Sequence, residues 1–268
     1  MTPRNFLVRG LLAGLIAGVL TFAVAYVAGE PSVDAAIKVE AAGEAAPHSH
    51  DDGATEHSHE DGAAEHTHEE DGTVVSRQNQ STWGLATATV STGIALGGIV
   101  ALASAFALGR IGRLRPSQST ALVAALGFIS VALVPFIKYP ATPPAVGNAD
   151  TIGARTTQYF VMLAISVLAM IAVVVLFRAL LDRFGTYTAV LVSAGTYLAV
   201  VVLAAELMPT VNEIGDFPAD TLWYFRRGSL MTLATLWGVI GIALTGLIGK
   251  LYAQESATQA RRDLAASL

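Results

Sequence analysis

Long apolar runs separated by short polar segments dominate the pattern of this 268-residue chain. Six runs are long enough to cross about 30 Å of hydrocarbon as α-helices, which takes roughly 20 residues each. They cover residues 7–28, 85–108, 119–137, 159–180, 187–208 and 229–250. None alternates apolar and polar residues as a barrel strand does. The pattern predicts an all-α integral membrane protein, a bundle of about six transmembrane helices.

The polar segments set the predicted domain organisation. It consists of a first helix at 7–28, a loop at 29–84, a five-helix bundle at 85–252 and a tail at 253–268. The first run follows Arg4 and Arg9, so a cleaved signal peptide is an alternative that would leave five helices. The length of that run and its glycine content favour a retained transmembrane helix.

Small residues recur at four-residue spacing on the first two runs. The first stripe is Gly10, Gly14 and Gly18, and the second is Gly97, Ala101, Ala105 and Gly109. Small side chains let the backbones of membrane helices approach closely. Both stripes therefore predict close helix–helix contacts.

The basic residues indicate the orientation of the chain. If the N-terminus is cytoplasmic, ten of the sixteen lysines and arginines fall in short cytoplasmic segments. These are Arg4, Arg9, Arg110, Arg113, Arg115, Arg178, Arg183, Lys250, Arg261 and Arg262. The positive-inside rule then places both termini inside a bacterial plasma (inner) membrane and residues 30–84 outside it.

All six histidines lie in that extracytoplasmic loop as three His-x-His pairs, nine residues apart and surrounded by carboxylates. The pairs are His48 with His50, His57 with His59, and His66 with His68. In an extended chain, residues i and i+2 point to the same side, so both imidazoles of a pair reach one ion. Imidazole binds Zn²⁺, Ni²⁺, Co²⁺ and Cu²⁺. The intervening glycines and acids predict a disordered His-rich loop that captures divalent metal.

Two other interpretations of the loop remain open at this point. In the first, the loop is solvated and its histidines are incidental. In the second, the loop is a pH sensor whose histidines titrate at about pH 6.5. A flexible nitrogen and oxygen site follows the usual affinity order of divalent metals, so it does not select cobalt or nickel. The loop therefore indicates metal capture but not which metal is captured.

A route through the membrane needs ligands other than histidine or cysteine. The chain has no cysteine, and no histidine lies in the apolar runs. The best candidates for a translocation path surround Pro209, which ends or kinks the fifth run. They are Glu206, Met208, Asn212, Glu213 and Asp216. The alternative role for Glu206 is a salt bridge to Arg226 or Arg227.

No catalytic or nucleic-acid-binding pattern accompanies these features. The sequence has no phosphate-binding glycine loop followed by Lys and Ser or Thr, no nucleophile elbow and no zinc-protease helix motif. The expected function is therefore neither enzymatic nor nucleic-acid binding.

Three stretches together resemble a known family. They are the first helix running into Glu30–Glu44 and the His-rich loop, the segment Tyr139-Pro-Ala-Thr-Pro-Pro-Ala-Val-Gly147 followed by Gly153-Ala-Arg155, and Phe217-Pro-Ala-Asp-Thr-Leu-Trp-Tyr-Phe-Arg-Arg-Gly-Ser229. In this order, over nearly the whole chain, they resemble the CbtA family of predicted cobalt transporter subunits. The resemblance implies cobalt uptake linked to cobalamin supply, about five spans, and a small single-helix CbtB-type partner bearing histidines.

The predicted function is membrane transport of a divalent transition metal, with Co²⁺ favoured over Ni²⁺ and Zn²⁺. The choice of cobalt rests on the family resemblance, and the expectation of metal capture rests on the histidines. The alternative is a metal-binding membrane protein that does not transport, acting as a buffer or as an accessory subunit of another permease. Membrane lipid and metal ion are the expected partners in both cases.

Overall fold

The computed structural model describes residues 2–44, 75–112 and 114–267. Every regular element in these ranges is a helix, so the predicted all-α architecture is confirmed. Five helical stretches are long and apolar enough to cross a membrane. They are Pro3–Ala42, Arg77–Ala107, Pro116–Lys138, Ala149–Leu207 and Ala219–Ala266. The count is five rather than six because the predicted runs 159–180 and 187–208 lie in one stretch.

Each stretch is built from one or more helical elements. The first holds α1 (Pro3–Val24), a π-helical turn (Ala25–Gly29) and α2 (Glu30–Glu44). The second holds α3 (Arg77–Asn79), a π-helical turn (Gln80–Gly84) and α4 (Leu85–Ala107). The third holds α5 (Pro116–Gly127), a π-helical turn (Phe128–Leu133) and α6 (Val134–Lys138). The last two hold a 3₁₀ turn (Ala149–Thr151) with α7 (Ile152–Leu207), and α8 (Ala219–Ala266).

The two small-residue stripes pack against each other and join α1 to α4. Gly10 faces the backbone of Gly97 and the Cβ of Ala101, and Gly14 faces the backbone of Gly93. A Cβ added to Gly97 would lie 2.7 Å from the Cα of Gly14, closer than real side chains approach. The predicted close helix–helix contact is confirmed, and it requires glycine on both helices.

The α4 stripe differs from its predicted extent at both ends. It begins one turn earlier than Gly97, because Gly93 also touches α1. Ala105 packs on the apolar core, whereas Gly109 lies beyond the end of α4 with a φ of +73°. Gly109 therefore terminates a helix, as glycine does in the left-handed region, and does not extend the contact.

The main core lies where α1, α4, α5 and α8 meet. Phe6 of α1 and Ile240, Leu244 and Ile248 of α8 are almost completely buried there. Trp237 closes the cluster, with its ring against Phe128 and beside Gly127. The side chains left exposed on α1, such as Leu11, Leu15 and Val19, are mostly large and apolar, as expected for a surface that faces lipid.

The first helix continues well beyond its predicted end at residue 28. Residues 30–44, predicted as part of the loop, form α2. Ala36 of α2 is completely buried in a second apolar cluster with Val146, Phe217 and Leu222. This distant packing holds a helix in an acidic segment that the polarity pattern assigned to a loop. The predicted tail from residue 253 likewise continues α8 to Ala266.

The chain reverses direction inside α7. Gly185 has non-helical backbone angles, with φ 77° and ψ 172°. The hydroxyls of Ser166 and Tyr197 lie 2.8 Å apart on opposite sides of this glycine. A straight helix of 56 residues would be about 84 Å long, and such a contact would be impossible along it. The two halves of α7 therefore lie side by side, one returning along the other.

Candidate functional site

One large cavity opens at the end of the bundle where α1 passes into α2 and where α7 begins and ends. We call it the cap cavity; its volume is about 750 Å³. Its charged lining residues come from separate elements: Glu30, Lys138, Arg155, Glu213 and Arg226. Aromatic and aliphatic walls, including Phe136, Phe225 and Leu233, surround them. The cavity therefore combines a small set of charges with apolar walls, which is typical of ligand sites.

The segment after α7 is tied to the end of α6, and this contact shapes the cavity. The Lys138 ammonium donates to the Met208 carbonyl at 3.2 Å. The Tyr139 hydroxyl donates to the Pro209 carbonyl at 2.8 Å. Pro209 has no N–H and cannot continue a helix, so the carbonyls before it become available to such donors. The Met208 carbonyl thus positions Lys138, which lines the cavity.

Only one of the five predicted path residues, Glu213, lines the cap cavity. Glu206 is exposed at the end of α7, and Asn212 and Asp216 are exposed on the following segment. Met208 is partly buried, and its carbonyl holds Lys138. Glu213 lines the cap cavity. The cap cavity therefore includes only one of the three carboxylates, Glu206, Glu213 and Asp216, that the sequence placed on one path.

Glu213 is held by donors from the start of α7. Its Oε2 accepts hydrogen bonds from the backbone N–H of Asn148 and the hydroxyl of Thr151, both at 2.9 Å. The Nε of Arg155 lies 3.6 Å from the same oxygen. The Asn148 and Thr151 donors, with the positive charge of Arg155, hold the pKa of Glu213 below its usual value. Glu213 is therefore a fixed, ionised wall of the cavity.

The salt bridge from Glu206 to Arg226 or Arg227, the alternative role of this carboxylate, is not formed among the described residues. Glu206 has no ion pair or hydrogen bond there. Arg227 stacks on the ring of Tyr224, 4.9 Å from its centroid. Arg226 faces the cap cavity, and its buried Nε has no hydrogen-bond partner among the described residues. The two neighbouring arginines therefore point to different places, because successive residues on a helix face about 100° apart.

The six predicted metal-binding histidines lie in residues 45–74, outside the described residues. The chain that follows them is anchored to α2. Arg77 binds the carboxylates of Glu30 and Asp34, with 2.8 Å from Nη2 to Asp34 Oδ1. Glu30 also lines the cap cavity. The segment that follows the histidines is thus fixed at the rim of this cavity.

The sequence profile of a family described as a probable cobalt transporter subunit (CbtA) matches residues 3–249. The chain belongs to the CbtA family. No curated protein and no solved structure matches it. With its five long apolar helices, this CbtA chain is a membrane protein, and a divalent metal such as cobalt is the substrate that its family implies.

Several residues of the cap cavity were not predicted as site residues. Lys138 and Arg155 lie in or beside the Tyr139–Arg155 region, for which the sequence predicted no ligand site. Gly147 packs directly against Arg155, and this close packing requires glycine. A Cβ at position 147 would lie 2.7 Å from the Arg155 guanidinium carbon. Gly147 also has a φ of +105°, which other residues rarely adopt. Gly147, eight residues before Arg155, was therefore the feature of the sequence that could have indicated this part of the cavity.

The described part of this CbtA chain contains no group of three or more histidine, cysteine, aspartate or glutamate side chains arranged to hold a metal. Glu30 and Glu213 both line the cap cavity, but each is already bound to an arginine. The chemistry that the cavity offers is therefore mainly that of arginine and lysine donors.

The lowered pKa of Glu213 makes the stability of this region depend on pH. The carboxylate stabilises the fold fully above its ordinary pKa of about 4.5, and this contribution is lost as pH falls through the lowered folded value. We expect Glu213→Gln to lower the unfolding temperature at pH 7, and the difference from wild type to shrink below pH 4.5. Thermal unfolding in detergent across this range measures it. The exposed Asp216→Asn is the matched control, and an equal effect of both variants would contradict the assignment.

Proposed function

We propose that this CbtA chain carries a divalent transition metal, Co²⁺ in the first place, across a bacterial plasma membrane into the cell. The observation that carries the proposal is the family match over residues 3–249. The long apolar helices supply the membrane body for it. The three His-x-His pairs supply an independent reason to expect that metal is handled.

In this proposal the chain crosses the membrane six times, with both termini in the cytoplasm. The reversal at Gly185 supports six crossings, because each half of α7 is long enough to cross about 30 Å of hydrocarbon separately. An even number of crossings places both termini on one side. The excess of basic residues near the N-terminus, near Arg110 and near Arg183 makes that side the cytoplasm.

The histidine arm, residues 45–74, then lies outside the cell and acts as a metal collector. Two His-x-His pairs supply four nitrogen ligands, and neighbouring carboxylates or water complete the shell. Such a site follows the general affinity order of divalent metals, so it concentrates Co²⁺, Ni²⁺ or Zn²⁺ but gives Co²⁺ no preference over the others. The Arg77 contacts to Glu30 and Asp34 support delivery near the cap cavity, because they fix the second end of the arm there.

For the inward path we propose the region around the end of α7. Glu206 has no hydrogen-bond or ion-pair partner among the described residues, so it is free to receive a cation. Glu213 is occupied by Asn148, Thr151 and Arg155 and acts as a wall instead. Met208, Asn212 and Asp216 complete the proposed path on the segment between α7 and α8.

Uptake by purified protein in sealed vesicles tests this function. We expect vesicles that contain the chain to accumulate labelled Co²⁺ faster than empty vesicles, with Ni²⁺ and Zn²⁺ as competitors to rank the metals. Adding a CbtB-type partner to a parallel sample shows whether it is required. Metal binding without accumulation in either sample would contradict transport and favour the buffer or accessory role.

A further inference from the structure

The charges of the cap cavity are unevenly partnered. Its two carboxylates are neutralised in place, Glu30 by Arg77 and Glu213 by Arg155. Arg226 has no hydrogen bond or ion pair among the described residues, although it is partly buried and its Nε is shielded from solvent. Lys138 binds only the Met208 carbonyl and lies 5.6 Å from the Tyr139 ring centroid. Two cations of the cavity therefore lack an anionic partner in the described part of the chain.

A partly buried guanidinium without a partner is costly, because burial removes water that would otherwise solvate its N–H groups. Arg226 extends from α8 to the cap cavity, beside the apolar side chains of Phe225 and Leu233. An anion in that space would regain the lost hydrogen bonds. Apolar walls strengthen such a pair, since the local dielectric is lower than in water.

We propose that the cap cavity is a binding site for an oxyanion, a carboxylate or a phosphate group, held by Arg226 with Lys138. The planar fork of arginine matches two oxygens of a carboxylate or phosphate, and the lysine adds a point charge. Arg155 contributes to the positive wall but is already bound to Glu213 and Asn148. This binding site is additional to metal transport and does not depend on it.

A volume of about 750 Å³ accommodates a small polycarboxylate or the phosphate of an anionic lipid head group. Both ligands present the same chemistry to Arg226 and Lys138. A free divalent cation fits the site poorly, because the unpartnered groups around it are positive. The oxyanion would enter alone or as an anionic complex of a metal.

Arg226→Gln and Arg227→Gln form a matched pair of variants for the test. The two residues are adjacent on α8 and carry the same charge, but only Arg226 lines the cap cavity. The full chain is placed in phosphatidylcholine nanodiscs without metal and titrated with citrate by calorimetry. A parallel sample contains phosphatidylglycerol, and native mass spectrometry measures how much of this lipid stays with the protein.

Loss of one bidentate charge-assisted contact is expected to weaken binding about tenfold or more in Arg226→Gln. Arg227→Gln should stay within about twofold of wild type, as surface substitutions usually do. If citrate binding is weakened in Arg226→Gln but not in Arg227→Gln, the ligand is a soluble oxyanion. If phosphatidylglycerol retention is lost in Arg226→Gln but not in Arg227→Gln, the ligand is a lipid phosphate. Binding of neither ligand, or an equal loss in both variants, would overturn the site.

A second pair of variants keeps the test decisive if Arg226→Gln does not yield monodisperse protein. Arg226→Lys keeps the positive charge but removes the planar fork, so it should bind the same ligand measurably more weakly. Arg227→Lys should bind like wild type. Equal affinities in the two lysine variants would contradict a direct role for Arg226. Because no metal is present, failure here is distinct from failure of cobalt uptake.

Discussion

Gly14→Leu is expected to prevent the chain from reaching its folded state in the membrane. A Cβ at this position would lie 2.9 Å from the Cα of Ile94 and closer still to the carbonyl of Gly93. These neighbours are backbone atoms, which cannot move aside as a flexible side chain can. Helices α1 and α4 would have to separate, and the core around Phe6 and Ile240 would open with them. Overpacking of a core typically costs about 1–3 kcal/mol and occasionally more, and a clash with backbone atoms belongs at the upper end of that range.

Size-exclusion chromatography of detergent-solubilised protein, with a thermal challenge, measures this effect. Gly195→Leu is the matched control, because Gly195 is an exposed transmembrane glycine with no atom within 4 Å of an added Cβ. We expect the control to elute as a single peak and to retain its thermal midpoint. If Gly14→Leu behaved like Gly195→Leu, the close contact of α1 with α4 would be wrong.

Local composition was enough to predict the membrane helices. Each run had the length and apolarity that a bilayer requires, and α4 (Leu85–Ala107) follows its predicted run of 85–108 to within a residue. The gap between 180 and 187 correctly separated two helical halves, because Gly185 lies in it. The glycine spacing likewise predicted contact. These features depend on residues that are near one another in the sequence.

Features that depend on distant residues could not be predicted in this way. Helix α2 is stabilised by packing of Ala36 on Phe217 and Leu222, which lie far away in the sequence. The salt bridge from Glu206 to Arg226 or Arg227, which the sequence left open as an alternative, is not among the contacts of the described residues, because proximity in the outer segments does not say which way a side chain points. Arg226 turns to the cap cavity and Arg227 to Tyr224, although they are adjacent.

The candidate site also has one part that depends on neighbouring residues and another that depends on residues distant in the sequence. The histidine pairs are a purely local signal, and they lie outside the described residues, so metal capture stays a prediction. The cap cavity is assembled from α2, the loop after α6, the start of α7 and α8. No local pattern predicts such an assembly. Only Gly147 and Arg155, eight residues apart, gave an indication of it.

Replacement of all six histidines by asparagine is expected to raise the Co²⁺ concentration needed for half-maximal uptake while leaving the maximal rate nearly unchanged. The arm, whose second end is anchored through Arg77, raises the local metal concentration outside the proposed path at the end of α7 in the proposed function. Removing such an effect weakens apparent affinity by up to about 100-fold, the lower end of what tethering supplies, and alters no contact along the path. Initial uptake rates in vesicles, measured over a range of Co²⁺ concentrations, separate the two parameters.

The control for this experiment replaces the middle residue of each pair, Ser49, Ser58 and Thr67, by alanine. It leaves every imidazole and carboxylate of the arm in place, so the half-maximal concentration should stay at the wild-type value. A fall in the maximal rate of the histidine variant would mean that the arm is part of the path rather than a collector. An unchanged half-maximal concentration would mean that the histidines are incidental. Because excess Co²⁺ replaces the supply that a collector provides, only a collector predicts full recovery of the rate at high concentration.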